Sequence, residues 1–366
     1  MVKFFRAFLA ISALFTLLLL SFASSAFACT GIQLKAQDGS FINGRTLEFG
    51  TKINTNVLVV PRNYAFTGTL PDGNPGLSYH SKYAVLGADM DNSRTIVDGL
   101  NETGLAAGTF YFPGYAQYAQ LNDNNKTHGL SPTEFINWIL TQFGTIDEVK
   151  QGLQNVVIVP TVFKPWGAAP PFHYVVYDKN GKSIVIEPIN GKLIVHDNPL
   201  GVITNSPTFD WQMTNLQNYI NLSPLNAPKV DVKGIVLKQF GQGSGLHGLP
   251  GDFTPPSRFV RAAVFSSTAI PSDNARNTVL QVFHILNQFD IPVGAVRAMI
   301  NGKIQPDYTM ITAVKNPQNL GYYFKTYNNQ NIRVVYLKSF DLNAKDLKTI
   351  NTDDPQEIKD ISNMAR

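Results

Sequence analysis

Cysteine is almost missing from this chain: Cys29 is the only one in 366 residues. A single thiol excludes an internal disulfide framework and any cysteine-based zinc site. The six histidines (His80, His128, His173, His196, His247 and His284) never fall at i, i+4 or another metal-ligand spacing, so no metal or other cofactor is expected. There is no G-x-S-x-G elbow, which removes the nucleophilic serine of that strand–turn–helix. The stretch GSGLHG, residues 243–248, fits G-x-G-x-x-G but runs into Leu249-Pro250-Gly251. That sequence cannot open the helix a dinucleotide needs, so the stretch reads as a loop near an entrance or at a subunit contact. Basic blocks are also lacking. With 30 Lys+Arg against 26 Asp+Glu the formal charge is only +4, which gives no electrostatic case for nucleic acid. After residue 28 no apolar run is long enough to span a bilayer, and no repeat or flexible linker divides the chain.

What is present begins at the N-terminus. Lys3 and Arg6 precede an uncharged apolar run from Ala7 to Phe22, and Ala26-Phe27-Ala28 closes the segment. This is the order of a secretory signal peptide with an A-x-A cleavage site. The run is shorter than the roughly 20 residues of a spanning helix. The expected domains are therefore a signal peptide over 1–28, one catalytic domain over 29–342 and a polar tail over 343–366. Cleavage leaves 338 of the 366 residues and removes Lys3 and Arg6, so the formal charge falls from +4 to +2. The mature protein is expected to be exported, periplasmic or secreted, with no stable membrane anchor.

Cleavage after Ala28 would put Cys29 at the new N-terminus, where one residue carries a thiol and a free α-amine. The thiolate is the nucleophile. An α-amine titrates near 7.7–8.0 and a thiol near 8.5, so the amine can act as general base for its own side chain. No histidine is needed, and no second cysteine is present to trap the thiol. Two other readings compete. A lipoprotein signal wants a Leu-like residue three before the cysteine and a small one two before, where this chain has Ala26 and Phe27. The other is an inert buried cysteine.

Strand signals open the mature chain. Thr30–Ala36 and Ser40–Leu47 flank Asp38-Gly39 as a hairpin. Val57–Val60, Tyr83–Gly87, Thr95–Asp98 and Leu105–Phe112 read as further strands. Ser131-Pro132-Thr133-Glu134 is a capping box with Pro at the first helical position, and Thr145-Ile146-Asp147-Glu148 repeats the pattern. Phe172–Tyr177, Ser183–Glu187 and Lys192–Val195 are strands again. Asn274–Phe289 is a helix with Val279, Val282, Phe283, Leu286 and Phe289 on one stripe. Gly321–Tyr327 and Asn331–Phe340 close with strands. Meanders of strands with helices grouped between them predict an α+β fold with antiparallel sheets.

Four segments then carry a resemblance: CTGIQLKAQDGSFINGRTLEFG, NETGLAAGTFYFPGYAQY, TNSPTFDWQMTNLQNY and GLHGLPGDFTPPSRFVRAAVF. Together they resemble the choloylglycine hydrolase family, the bile salt hydrolases and penicillin V acylases, from Cys29 to about residue 340. The resemblance implies a four-layer αββα N-terminal-nucleophile hydrolase, with two antiparallel sheets between helix layers. It places the nucleophile on Cys29, active-site arginines on Arg45 and Arg258, and an oxyanion asparagine on Asn205. The acid that holds the α-amine falls on Glu48, where the family pattern has Asp. The second oxyanion donor falls on the backbone of Tyr111, where bile salt hydrolases tend to carry Asn and penicillin V acylases Tyr. Preorganised donors of this kind are worth about 10²–10³ each in rate, and the two guanidinium groups favour thiolate over thiol.

The expected function is hydrolysis of a linear, non-peptide amide with a hydrophobic acyl group, through a thioester on Cys29. Tyr111 points to penicillin V; conjugated bile salts and N-acyl homoserine lactones are the alternatives. A reading from another class is a lipid-anchored, non-catalytic binding protein. Residues 211–248 correspond to a segment that packs family members into tetramers, so the resemblance implies a homotetramer.

Overall fold

A computed structural model describes residues 28–50, 55–300 and 302–364. The signal-peptide reading for residues 1–27 lies outside the described residues. The chain runs through β1 (Cys29–Lys35), β2 (Phe41–Phe49), β3 (Val57–Val60), β4 (Val85–Asp89), β5 (Ile96–Asn101) and β6 (Ala106–Tyr111). Helices α1 (Phe135–Gln142) and α2 (Ile146–Gly152) follow, then β7 (Phe172–Tyr177), β8 (Ser183–Ile189) and β9 (Lys192–Asp197). Next come α3 (Phe209–Leu216), α4 (Pro255–Thr268) and α5 (Ala275–Leu286). The last strands are β10 (Val296–Ile300), β11 (Lys303–Asn316), β12 (Gly321–Thr326), β13 (Asn329–Tyr336) and β14 (Lys348–Ile350).

Two antiparallel sheets form. The six-stranded sheet has the order β1-β2-β11-β12-β13, with β10 on β11; the eight-stranded sheet has the order β9-β8-β7-β6-β5-β4-β3-β14. Alternation sorts each strand's side chains. Val175, Tyr177 and Val185 enter the core between the sheets, while Tyr174, Val176, Ile184 and Ile186 face α1 and α2. Both faces are buried, so these strands read as near-continuous apolar runs. On the six-stranded sheet α4 lies over β1, and α5 lies over β2 and β11. The layers are thus helix, sheet, sheet, helix, as expected. Gly44 lets α5 approach β2: a Cβ there would stand 2.6 Å from Val282 Cγ1 and 2.9 Å from the Ala313 carbonyl.

The capping signals behave unequally. Asn274 caps α5 by accepting from the Asn277 N–H at 3.1 Å, and the expected stripe of five apolar residues is buried. Thr145 caps α2 through the Glu148 N–H at 3.2 Å. At Ser131 only half the capping box forms. Glu134 Oε2 accepts from the Ser131 N–H at 2.9 Å, but the Ser131 and Thr133 hydroxyls bond each other at 2.9 Å. That diverts the cap, and the helix starts at Phe135 rather than at Pro132.

Of the elements that were not foreseen, three bear on the site. Helix α4 carries the PPSRF motif, β11 is a 14-residue strand at the centre of its sheet, and α3 follows the Asn205 loop. The chain beyond 342 is also more ordered than a tail. Lys348–Ile350 pair with β3, the Thr352 hydroxyl donates to the Thr55 carbonyl, and Asn329 Nδ2 donates to the Asp354 carbonyl at 3.0 Å. The sheet therefore runs past the boundary expected at 342, because Ile350 packs against the inter-sheet core.

Candidate active site

Cys29 opens β1, is 5% exposed, and lies opposite Leu47 of β2. Gly31, two residues on, brings a second segment to it. Gly31 and Ile203 exchange backbone hydrogen bonds of 2.8 and 3.1 Å, and a Cβ on Gly31 would stand 2.8 Å from Ile203 Cγ2 and 2.9 Å from Phe110. Only glycine lets these backbones approach so closely. This explains the Gly of CTG: it places Asn205, two residues past Ile203, beside the cysteine.

Asn205 is 2% exposed. Its Oδ1 accepts from the Cys29 backbone nitrogen at 2.8 Å and from Arg258 Nη2 at 2.7 Å, and its Nδ2 donates to the Tyr111 carbonyl at 2.8 Å. Ser206 Oγ donates to the Pro113 carbonyl at 2.7 Å, so the Asn205 loop is latched along residues 111–113.

Arg258 reaches in from the first turn of α4. It donates through Nη1 to the Cys29 carbonyl and, at 3.0 Å, to Thr30 Oγ1; Nε donates to the Phe253 carbonyl at 2.8 Å. Burial lowers its pKa, opposed by the neighbouring Glu48, Cys29 and Asp307. Arg45, on β2, donates through Nη1 to the Thr109 carbonyl at 2.5 Å and lies 4.0 Å over the Phe110 ring. Its Nη2 is buried without a hydrogen-bond partner among the described residues, which leaves a donor beside Cys29. Burial pushes the Cys29 thiol up; Arg45 pulls it down, Glu48 raises it, and Arg258 and the Glu48 N–H pull it down again.

Glu48 is buried beside Cys29. Its N–H donates to the Ala28 carbonyl at 3.0 Å, and its Oε1 accepts from Thr309 Oγ1 at 2.9 Å. Among the described residues its Oε2 has no partner within hydrogen-bond distance, although the Thr46 hydroxyl lies near enough to pull the carboxyl down. Burial pushes the carboxyl up to about 8, against the pull of Arg258. With Ala28 still attached, the Cys29 nitrogen is an amide and carries no charge for Glu48 to meet. Cleavage would release the Glu48 N–H from Ala28 and create the ammonium that an empty acceptor can receive.

All six expected residues therefore fall in one neighbourhood. Cys29, Arg45, Glu48 and Tyr111 line one cavity of about 40 Å³, whose apolar walls are Leu47, Phe49, Met90, Val97, Trp166 and Phe172. Asn205 and Arg258 join the cluster through their bonds to Cys29 and Tyr111. Sequence reasoning missed the rest. Trp166 is the hub of the aromatic wall, 4.9 Å from Phe49 in a stacked pair, with Tyr111, Phe163 and Phe172 edge-on between 5.7 and 6.4 Å. Asp307, whose carboxylate oxygens have no partner within hydrogen-bond distance among the described residues, is pushed up to about 7 by burial, against Arg258 and the Tyr308 N–H. Asp307 lies on the unforeseen strand β11. Trp166 sits in a surface loop whose only sequence signal is its aromatic and proline content. Among the described residues no group of three or more His, Cys, Asp or Glu is arranged for a metal. The GSGLHG stretch sits in an exposed loop and opens no α-helix.

Two antiparallel sheets between helix layers, with this cluster at the first residue of β1, give the fold of the N-terminal-nucleophile hydrolases. Residues 29–350 match the linear amide C–N hydrolases, choloylglycine hydrolase family. The chain belongs to that family. It is 34% identical over 323 residues to a bile salt hydrolase/transferase of Clostridium perfringens, covering 88% of this chain and 96% of that one. The crystal structure of a variant of the conjugated bile acid hydrolase from Clostridium perfringens superposes with a TM-score of 0.82 at 31% identity, covering 91% of this chain and all of that one. A penicillin V acylase of Pectobacterium atrosepticum is 29% identical over 238 residues, covering 63% of this chain and 57% of that one. The chain is accordingly a hydrolase of carbon–nitrogen bonds in linear amides.

Proposed function

We propose that the mature protein is an exported cysteine amidohydrolase with Cys29 as its N-terminal nucleophile. The observation that carries this reading is the engagement of the Cys29 nitrogen by Asn205 Oδ1 at 2.8 Å, in a cluster with two guanidinium groups. Once the nitrogen is an α-amine, that bond takes one of its hydrogens and orients the lone pair. The amine then accepts the thiol proton, directly or through one water, and Sγ attacks the amide carbon. The oxyanion meets the remaining Asn205 N–H and the Tyr111 backbone N–H. The protonated amine gives its proton to the leaving nitrogen, and water clears the thioester. Glu48 holds the ammonium.

Penicillin V is the leading substrate, supported by Tyr111 and by the aromatic side chains of Phe49, Trp166 and Phe172 around the cavity beside Cys29, against which an aryl acyl group would pack. A second reading, conjugated bile salts, is supported by the relatives that carry that activity in their names at about a third identity. N-acyl homoserine lactones share the same linear amide and acyl character.

Assembly as a homotetramer is supported by the exposed apolar hairpin at 230–237. Val230, Val232, Ile235, Val236 and Leu237 are all exposed, and Phe240 follows with its ring fully in solvent. A contiguous patch of this kind marks an interface. Light scattering on the mature protein reads the assembly directly, and a monomer would remove this assignment.

The test of the reaction is N-terminal sequencing of the exported protein, then turnover of penicillin V, glycine and taurine conjugates and acyl homoserine lactones by wild type and by Cys29→Ser. A chain starting Cys-Thr-Gly-Ile and activity abolished in Cys29→Ser are expected. Full activity in Cys29→Ser, or a lipid on Cys29, would overturn the mechanism and favour the anchored binding protein.

A further inference from the structure

Behind the Asn205 loop lies a buried polar group that the reaction above does not use. His173 of β7 and Glu187 of β8 face each other across the strand pair, with His173 Nδ1 3.3 Å from Glu187 Oε1. Both are 2% exposed or less. Glu187 Oε1 also accepts from the Phe209 N–H at 2.9 Å, and His173 Nε2 donates to the Thr204 carbonyl at 3.1 Å. The two side chains therefore grip both ends of the segment that contains Asn205, at 204 and at 209. The His173 ring also stacks on Phe112, centroids 4.2 Å apart and 4° from parallel. Phe112 follows Tyr111, so one imidazole touches the supports of both proposed oxyanion donors.

We propose that His173 and Glu187 are positioning residues for the hydrolysis reaction: they form a clamp that holds the Asn205 loop and the Tyr111 strand end at a fixed separation. This rests on the reading of Asn205 and Tyr111 as the oxyanion donors. Three observations converge on it. The histidine's two neighbours on either side are a carboxylate and a carbonyl, 3.3 and 3.1 Å from its two ring nitrogens, so the ring is held in orientation between them. Glu187 is charged: burial alone would raise its carboxyl, but hydrogen bonds from His173 and His196 bring it to about 2. The charged groups around the clamp are few. His196 Nε2 stands 3.3 Å from Glu187 Oε2, Asp210 raises His196, and Phe110 and Phe112 close the apolar sides.

The clamp acts through the Asn205 loop and the Tyr111 strand end, which allows a test that a merely structural role would not pass. His173→Gln keeps a donor near the Nε2 position and so keeps the Thr204 bond. His173→Asn places its donor near Nδ1 and loses that bond. Both lose the ring. A misplacement of about 1 Å in a catalytic group costs about 10²-fold. For His173→Asn, kcat on the best amide substrate is expected to fall by about that factor with KM changed little. His173→Gln is expected to recover most of the loss at equal thermal stability. Equal kcat in the two variants, or activities that simply follow stability, would overturn the clamp. If the wild type turns over no amide, the hydrolase reading itself fails. Hydrogen exchange of segment 204–209 then decides the clamp alone: faster exchange in His173→Asn supports it, and unchanged exchange overturns it.

Discussion

Glu48 gives a prediction that joins stability to the site. While Ala28 remains joined to Cys29, the Glu48 carboxyl sits in the core and is pushed up to about 8 from its ordinary 4.5. A carboxyl raised on folding keeps a proton that the unfolded chain has lost. Its contribution is fully present below 4.5 and is lost as the pH rises through about 8. In the middle of that window the loss is about 1.4 kcal/mol per pH unit. Glu48→Gln removes the titration and keeps an acceptor for Thr309. Urea unfolding at several pH values between 4.5 and 8 should therefore show the Gln variant gaining on the wild type with that slope. The measurement is made on a chain that retains Ala28 and on one that begins at Cys29. In the second chain the new ammonium stabilises the carboxylate, and the slope between variant and wild type should collapse. Parallel wild-type and variant curves in the Ala28 chain would refute the buried-acid argument. The same divergence in both chains would show that Glu48 does not meet the α-amine.

Three further outcomes follow from the same geometry. Asn205→Asp keeps the Oδ1 bonds to Cys29 and Arg258 but turns an oxygen toward the Tyr111 carbonyl; kcat should fall about 10²–10³-fold, read by steady-state kinetics, and an unchanged kcat would remove Asn205 from the oxyanion site. Lys315→Met strands Asp98, whose Oδ1 is held by Lys315 Nζ at 2.6 Å and whose Oδ2 is held by Tyr322 at 3.1 Å between the sheets; a loss of about 3–5 kcal/mol in urea unfolding is expected. Trp166→Ala opens the aromatic wall, so the ratio of kcat/KM for glycine-conjugated bile salt over penicillin V should rise, and a constant ratio would show that Trp166 does not bound the acyl pocket.

Strands β3 to β8 of the eight-stranded sheet were legible because their apolar runs are buried on both faces and bounded by turn residues; the exposed β9 was marked by Asn190-Gly191 before it, and the edge strand β14 was not foreseen. Helix α5 was legible because cap and stripe agree. Strand β11 was not, although it lies at the centre of its sheet. Its first half, KIQPD, is polar, and its buried Asp307 and Lys315 look like surface residues. Helix α4 was hidden by Pro255-Pro256, which read as a loop but occupy the helix start. The site was legible in a different way. Chemistry at Cys29 follows from its position after Ala28. The grouping of Arg45, Glu48, Tyr111, Asn205 and Arg258 came from resemblance, because no spacing in one sequence says that residues 29, 205 and 258 meet. The Gly31–Ile203 bridge that joins them depends on a pairing 172 residues long in sequence, and nothing local announces it.

Glu48 is also where the chain departs from the family pattern, and the structure suggests how the longer acid is accommodated. Glu48 lies opposite Thr309 across β2 and β11, next to a register shift between Thr309 and Ile311. Thr309 Oγ1 donates to Glu48 Oε1 at 2.9 Å, has the Phe289 carbonyl as a second, longer acceptor at 3.3 Å, and accepts from the Ile291 N–H at 2.9 Å. An aspartate here would draw the carboxylate back by about one C–C bond, ~1.5 Å. The Thr309 bond to the acid would break and the hydroxyl would be left with the longer Phe289 contact, at a cost of about 1 kcal/mol. Glu48→Asp, although it restores the family residue, should therefore lower both the urea midpoint and kcat. A double change, Glu48→Asp with Thr309→Val, removes that hydroxyl but strands the buried Ile291 N–H, so it should recover neither stability nor rate. If Glu48→Asp alone matched the wild type in rate and stability, the extra methylene would be a neutral substitution and Thr309 would have no part in placing the acid.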